Sequence, residues 1–174
     1  MITLVTGKPK SGKSDMAEDL AVKSGCAEKY YIATMEILDD DGRARVEEHR
    51  KKREGKGFIT LEIPTDIETA PGLMNDPSKS VVLLECVANL VGNRMHGNAN
   101  TMWLMELGEV GHKEFIRSVA ESIINLGKKV CELIVVSTSY EADENDEEET
   151  ALYKKMLDAV NAELETSVDR VIRS

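Results

Sequence analysis

The chain has 174 residues, 41% of them hydrophobic, which suits one packed domain and not comfortably two. Its 22 Lys and Arg stand against 32 Asp and Glu, a net charge of −10. That balance excludes a nonspecific nucleic-acid binder, because neutralising a polyanion requires a basic surface, yet it leaves room for a local positive pocket that takes a small phosphorylated ligand. Aromatic residues are only 4%, so the core must be built from Val, Ile, Leu, Met and Ala. The cysteines, Cys26, Cys86 and Cys131, form no CxxC pair, and neither a zinc site nor a disulfide framework is expected. No charged leader precedes residue 2, and no apolar run approaches the roughly 18–20 residues that span a bilayer. The expectation is a protein of the reducing cytoplasm with no membrane partner.

In chain order, residues 2–5 form a continuous apolar run and predict a buried strand. It leads straight into Gly7-Lys8-Pro9-Lys10-Ser11-Gly12-Lys13-Ser14, and residues 14–23 then set Met16, Ala17, Leu20 and Ala21 on one helical stripe. Residues 30–33 predict a second strand. Residues 40–54 predict a helix so charged that it cannot bury much of itself, with Ala44 and Val46 its few apolar residues. Residues 58–63 alternate more and read as a weaker strand at a sheet edge. Residues 81–86 and 133–137 are further apolar strands. Residues 92–101, rich in Gly and Asn, predict a mobile loop, and residues 141–149 an acidic, solvated one. Helical stripes recur at Phe115, Val119, Ile123 and Leu126, and at Leu152, Met156, Val160 and Leu164. Strands alternating with helices predict a single α/β domain over residues 1–174, P-loop NTPase-like, with a mainly parallel sheet flanked by helices.

The chemistry starts at residues 7–14, which match the P-loop spacing G-x4-G-K-S between a strand and a helix. Glycines allow a tight turn whose N–H groups face phosphate oxygens. Lys13 is expected to reach the β- and γ-phosphates, the Ser14 hydroxyl to ligand Mg²⁺, and the helix N-terminus to add its positive dipole end. Such a site needs an acidic residue at the end of a buried strand on the metal side, and Glu85 is the candidate. On the charged helix, Arg45, His49 and Arg53 are spaced by four and share a face, with Arg50, Lys51 and Lys52 adding positive charge. A neutral imidazole is a good nucleophile, and cations around it favour that form and hold phosphate oxygens. The residues alone leave His49 open between a nucleophile and a solvent-facing histidine. His96 and His112 have no partner cluster in sequence and read as surface histidines.

Together these stretches resemble the bifunctional adenosylcobinamide kinase/adenosylcobinamide-phosphate guanylyltransferase family of cobalamin biosynthesis. The resemblance is carried by residues 4–14, by Tyr31-Ile32-Ala33-Thr34, by Arg45-Val46-Glu47-Glu48-His49-Arg50, by Thr60-Leu61-Glu62-Ile63-Pro64, and by Leu83-Leu84-Glu85-Cys86 with Asn93 following. It implies that His49 is the guanylylated histidine and that residues 7–14 are the phosphate loop. It implies that Ala33, Thr34 and Met35 form a nucleotide-contacting turn, and that Arg50, Lys51, Lys52, Arg53, Glu62 and Glu85 contact GTP. It further implies Mg²⁺, ATP or GTP and adenosylcobinamide as ligands, and a homotrimer whose neighbouring subunits complete the site. The C-terminal third departs from the family pattern: Thr138-Ser139-Tyr140-Glu141 stands in place of Asn-Glu-Val-Gly, Tyr153-Lys154-Lys155 in place of Phe-Arg-Asp, and Ala162 follows Asn161 in place of Gln. The competing readings are another small P-loop metabolite kinase with His49 idle, and a non-catalytic GTP-binding relative.

Overall fold

The structure, a computed structural model, describes residues 1–97 and 101–174. Six strands, β1 (Ile2–Thr6), β2 (Glu28–Ala33), β3 (Phe58–Glu62), β4 (Ser80–Glu85), β5 (Glu132–Val136) and β6 (Arg170–Arg173), form one sheet in the order β3-β2-β4-β5-β1-β6. Every pairing is parallel, so the expected mainly parallel sheet is wholly so. The helices are α1 (Lys13–Val22), α2 (Asp40–Arg53), α3 (Val87–Gly97), α4 (Thr101–Glu106), α5 (Gly108–Lys129) and α6 (Glu148–Ser167), with 3-10 turns at Ile67–Leu73 and Pro77–Lys79.

The apolar runs are continuous because both faces of the sheet are covered. Leu4, Tyr30, Ile32, Val82, Leu84, Leu133 and Val135 belong to the larger core, which takes in Val91 of α3, Val119, Ile123 and Leu126 of α5, and Met156, Val160 and Leu164 of α6. The residues one step along each strand, Val5, Tyr31, Val81, Leu83, Ile134 and Val136, form a second core with Ala17 and Ala21 of α1. Each Val, Leu or Ile buried fully in these layers contributes about 1.5–3 kcal/mol. The two long helical stripes behave as the sequence predicts. In α1 the stripe is turned: Ala17 and Ala21 are buried, but Met16 is 37% exposed and Glu18 is buried instead, its carboxylate 2.6 Å from Lys56 Nζ. The two small alanines let α1 sit close on the sheet.

β3 lies at the edge as its alternation implied, with Ile59 exposed. Two expectations need correction. Residues 92–97 of the anticipated loop are the last turns of α3, because Leu90, Val91 and Met95 bury one side of it and outweigh the weak propensity of Gly and Asn. Residues 98–100 lie outside the described residues, and Thr101 opens α4. β6 was not foreseen as a strand; its sequence, Arg-Val-Ile-Arg, is short and half exposed, and only pairing with β1 fixes it.

The connection leaving β2 runs outward to β3, whereas that leaving β4 runs the other way to β5. A crevice therefore opens at the carboxyl ends of β2 and β4, where ligands of open α/β sheets bind.

Candidate active site

Residues 7–12 leave the carboxyl end of β1 and turn into α1, as the spacing predicts. Gly12 caps the helix at φ +82°, a left-handed conformation that an L side chain resists. Gly7 is required for a different reason: a Cβ there would sit 2.5 Å from Ser174 Oγ and 2.8 Å from the Ser174 carbonyl oxygen. The Gly7 carbonyl accepts from the Ser139 N–H at 3.2 Å and from Thr138 Oγ1 at 3.3 Å, anchoring the loop to the exit of β5. Asn161 of α6 fixes that exit in turn, accepting from Ser137 Oγ at 2.5 Å and donating to the Thr138 carbonyl at 3.0 Å. Gly7→Ala is expected to cost about 1–3 kcal/mol through overpacking. Gly12→Ala, with nothing within 4 Å of its Cβ, should cost about 1 kcal/mol through φ alone. Thermal melts of the two variants check the order.

Lys13 is buried and its ammonium donates to the Lys8 carbonyl at 2.9 Å, inside the loop it is expected to serve. Burial lowers its pKa below the ordinary 10.5. Ser14 Oγ donates to Glu85 Oε1 at 2.5 Å, and the other oxygen of the same carboxylate, Oε2, accepts from the Tyr31 hydroxyl at 2.8 Å. Glu85 thus joins the start of α1 to the crevice between β2 and β4. Hydroxyl and carboxylate oxygens are the hard donors Mg²⁺ prefers, and one or two protein donors suffice when phosphates supply others. The pair Ser14 and Glu85 fits such an ion.

Sheet register sets Ala33 level with Glu85 on one side and Glu62 on the other. Met35 follows at the exit of β2. The Thr34 side chain is buried and engaged elsewhere: its Oγ1 donates to the Cys86 carbonyl at 2.8 Å and accepts from the Cys86 N–H at 2.7 Å. Asn93 Nδ2 donates to the Thr34 carbonyl at 2.6 Å and to the Pro64 carbonyl at 2.9 Å, tying together the exits of β2 and β3.

α2 closes over this end of the sheet. Asp39 caps it, accepting from the Gly42 N–H at 2.6 Å; Asp40 and Asp41 occupy its first turn and residues 50–53 its last. Acid at the start and base at the end suit the helix dipole, so a helix without an apolar stripe still forms. His49 is half-buried and lines a cavity of about 100 Å³ with Tyr31, Ala33, Met35, Val46, Arg53, Glu85, Cys86 and Asn89. That volume admits a phosphoryl group and not a nucleoside. Arg53 is only 6% exposed; its guanidinium lies 3.4 Å from the centre of the Tyr31 ring, and its buried Nε and Nη1 have no partner among the described residues. Cation–π attraction offsets part of the cost of burying the charge, but two unsatisfied donors call for an anionic acceptor.

The remaining basic residues do not gather there. Arg50 forms an exposed ion pair with Glu62, Lys52 pairs with Glu48 at 3.5 Å, and the Arg45 Nε donates to the Asp41 carbonyl at 3.4 Å. Arg50 and Lys51 line a broader groove of about 960 Å³ between α2 and β3, with Arg53 at its inner wall. On the other side of the loop, Lys8 pairs with Glu141 at 2.6 Å, both exposed. Pro9 and Lys10 are exposed at the tip of the loop, and Ser11 Oγ lies 2.5 Å from Ser174 Oγ.

A family model, described as cobinamide kinase / cobinamide phosphate guanyltransferase (CobU), matches residues 3–173. The chain belongs to this family. It is 42% identical over 93 residues to the bifunctional adenosylcobalamin biosynthesis protein CobU of Escherichia coli (strain K12), a match that covers 53% of this chain and 49% of that protein. It is 37% identical over 93 residues to the protein of the same name from Salmonella typhimurium, with the same coverage. A third relative, the bifunctional adenosylcobalamin biosynthesis protein CobP of Pseudomonas aeruginosa, is 31% identical over 140 residues, covering 65% of this chain and 80% of that one. The chain thus spans about half the length of the first two relatives it matches.

Within the family frame, the structure adds residues that sequence reasoning passed over. Tyr31 was given no site role beyond its place in a strand and in the stretch that carries the resemblance, yet its hydroxyl holds Glu85 and its ring carries Arg53. Burial, and then the Glu85 carboxylate, keep its phenol well above the ordinary 10, so it remains a donor at any pH of interest. The polar tip of an otherwise buried strand residue beside the Ile-Ala-Thr turn was the available signal. Asn89 and Val46 complete the cavity wall. His96 is a surface residue as read, whereas His112 is half-buried, one ring nitrogen 2.6 Å from the Leu104 carbonyl oxygen.

Proposed function

We propose that the chain is a cytoplasmic enzyme that phosphorylates adenosylcobinamide and then transfers GMP to the product. The observation that carries this reading is the shared Glu85: one oxygen meets Ser14 of the phosphate loop, and the residue also lines the cavity that holds His49 and the unpartnered nitrogens of Arg53. A nucleotide gripped at the loop and a nucleophile on α2 would then share one crevice.

In the first reaction the terminal hydroxyl of the aminopropanol arm attacks the γ-phosphorus of ATP or GTP. The new O–P bond forms as the bond from the γ-phosphorus to the β–γ bridging oxygen breaks; the nucleoside diphosphate leaves and the hydroxyl proton passes to solvent. Lys13 and the backbone N–H groups of the loop, Pro9 excepted, neutralise charge on the phosphoryl oxygens, the dominant requirement of this chemistry. Ser14 and Glu85 are the residues that would hold Mg²⁺, which supplies further charge neutralisation when bound. In the second reaction a neutral imidazole nitrogen of His49 attacks the α-phosphorus of GTP and pyrophosphate leaves. Arg53 then has acceptors for its buried donors in the phosphate oxygens. A phosphate oxygen of adenosylcobinamide phosphate next displaces His49, giving adenosylcobinamide-GDP and restoring the imidazole. Covalent catalysis divides one difficult transfer into two easier ones. Ala33 and Met35 would line the path of the α-phosphate, whereas Thr34 supports the turn from behind. Arg50, Lys51, Lys52 and Glu62 lie toward the outer groove, where a nucleoside or a neighbouring subunit of a homotrimer would meet them. No helix among the described residues is long and apolar enough to cross a membrane.

The direct test is to incubate the protein with Mg²⁺, adenosylcobinamide and GTP labelled on the α-phosphate. Labelled adenosylcobinamide-GDP is the expected product, and bound GTP with neither corrinoid product would favour the non-catalytic reading. A finer expectation concerns Tyr31. Tyr31→Phe keeps the ring beneath Arg53 and removes only the hydrogen bond to Glu85. Turnover should fall by about tenfold, the worth of one hydrogen bond to a charged group. The Mg²⁺ concentration for half-maximal activity should rise, while the melting temperature changes little.

A further inference from the structure

We propose that Cys26 and Cys131 are a dithiol modification site that closes reversibly to an intramolecular disulfide, at the end of the sheet opposite the phosphate loop. Their sequence separation of 105 positions conceals the pair, but the fold sets the two sulfurs 2.6 Å apart. Cys26 lies in the loop between α1 and β2, and Cys131 immediately precedes β5, so both are at the amino ends of strands.

Both flanks are held by the backbone. The Ala27 N–H donates to the Lys79 carbonyl at 2.9 Å, the Cys26 N–H to Ser24 Oγ at 3.2 Å, and Ser24 Oγ to Glu132 Oε2 at 2.8 Å. The Cys131 N–H is shared between the Pro77 and Ser80 carbonyls at 3.1 Å each, and the Met1 amino group donates to the Cys131 carbonyl at 3.3 Å. The chain segments that carry the two thiols are thus each hydrogen-bonded in place. Cys131 is exposed and Cys26 half-buried, so a small reagent reaches the pair. Cys86 differs in place and not in exposure: it is half-buried like Cys26 but lines the cavity at the other end of the sheet, where burial pushes its thiol up to about 11. Among the described residues no third His, Cys, Asp or Glu joins the pair to make a metal cluster, so the thiols' own chemistry is the relevant one.

The oxidant class is a low-molecular-weight disulfide. One Cys thiolate attacks a sulfur of the reagent, the reagent's S–S bond breaks, and one small thiol departs. The second Cys thiolate attacks the mixed disulfide, forms the Cys26–Cys131 bond and releases the second small thiol. Two protein thiols are oxidised, one reagent disulfide is reduced to two thiols, and the exchange runs backward under excess dithiothreitol. Closing so long a loop restricts the unfolded chain, so the oxidised protein is expected to melt about 5–10 °C higher.

The experiment treats the full chain with oxidised glutathione, blocks residual thiols with iodoacetamide, and maps peptides without reduction. Expected are a cross-linked peptide pair containing Cys26 and Cys131 from one chain, Cys86 absent from any cross-link, and a rise in melting temperature that dithiothreitol reverses. Separate glutathionyl groups on Cys26 and Cys131, a cross-link between two chains, or unmodified thiols would each overturn the proposal. The mapping needs only the native sequence, so it does not depend on the folding of a variant. Cys26→Ser and Cys131→Ser should each abolish the temperature shift.

Discussion

Replacing His49 with alanine is expected to abolish the covalent capture of GMP. With GTP labelled on the α-phosphate, the native protein should retain label after denaturation, in a bond labile to acid and stable to alkali, as a phosphoramidate is. The variant should retain none, and guanylyl transfer should fall by roughly three orders of magnitude or more, the scale of losing a nucleophile that no neighbour replaces. Within the described cavity the other side chains with a nucleophilic atom are Cys86, Tyr31 and Glu85. Cys86 and Tyr31 are held protonated by burial, and both oxygens of Glu85 accept hydrogen bonds from Ser14 and Tyr31. Phosphorylation of adenosylcobinamide should survive in the variant within a few-fold, because Lys13 and Ser14 belong to another element. His49 is half-buried on a largely exposed helix, so the fold should tolerate the change. Label retained by His49→Ala at native levels would move the nucleophile to another residue and remove His49 from the mechanism.

Lys13→Met is the second large effect, and it should suppress both reactions together. The ammonium is preorganised in the loop, and loss of one such donor costs roughly 10²–10³ in turnover. Methionine keeps most of the volume, so the comparison isolates the charge. The pH dependence has a definite sign. Burial lowers the pKa of free Lys13 below 10.5, with Glu85 acting in the opposite direction. A bound triphosphate brings negative charge and raises it again. Binding therefore takes up a proton once the free amine has begun to lose its own, and affinity must decline as pH rises through the lowered pKa. Titration calorimetry at increasing alkaline pH should show triphosphate affinity falling before an ordinary lysine would titrate, and Lys13→Met should lack that limb. Affinity independent of pH up to 10.5 would remove Lys13 from the cradle.

Much of the fold could be read from local pattern. Residues 2–5, 30–33, 81–86 and 133–137 announce strands because a sheet buried on both faces tolerates no polar alternation. The stripes around Val119 and Val160 announce helices because each buries one side. Residues 92–97 misled because Gly and Asn are weak helix formers, and a helix held by tertiary packing of Val91 and Met95 overrides that weakness. β6 misled because two half-buried residues between two exposed arginines carry too little apolar signal, and only the hydrogen bonds of β1 select their conformation.

The candidate site divides in the same way. Residues 7–14 are legible because a phosphate loop is local: glycine placement, a preceding strand and a following helix all lie within about twenty residues. Glu85 was legible as a strand-end carboxylate, but not its two-sided hydrogen bonding to Ser14 and Tyr31. The run 50–53 reads as one basic cluster in sequence, yet successive helical residues point about 100° apart. Arg50 and Arg53, three residues apart, lie within about 60° of each other, and what separates them is tertiary: Arg53 packs over Tyr31, while Arg50 reaches Glu62 on β3.

By itself, then, the sequence determined what depends on neighbours in the chain: a parallel α/β sheet, a phosphate loop, and a charged helix bearing His49. Tertiary structure alone decided what depends on distant strands meeting in register: the cavity shared by His49, Arg53 and Glu85, the place of Tyr31 between them, and the contact of Cys26 with Cys131. Periodicity encodes which face of an element is buried, but not which other element covers it, and side chains from separate elements converge only once the sheet order is set.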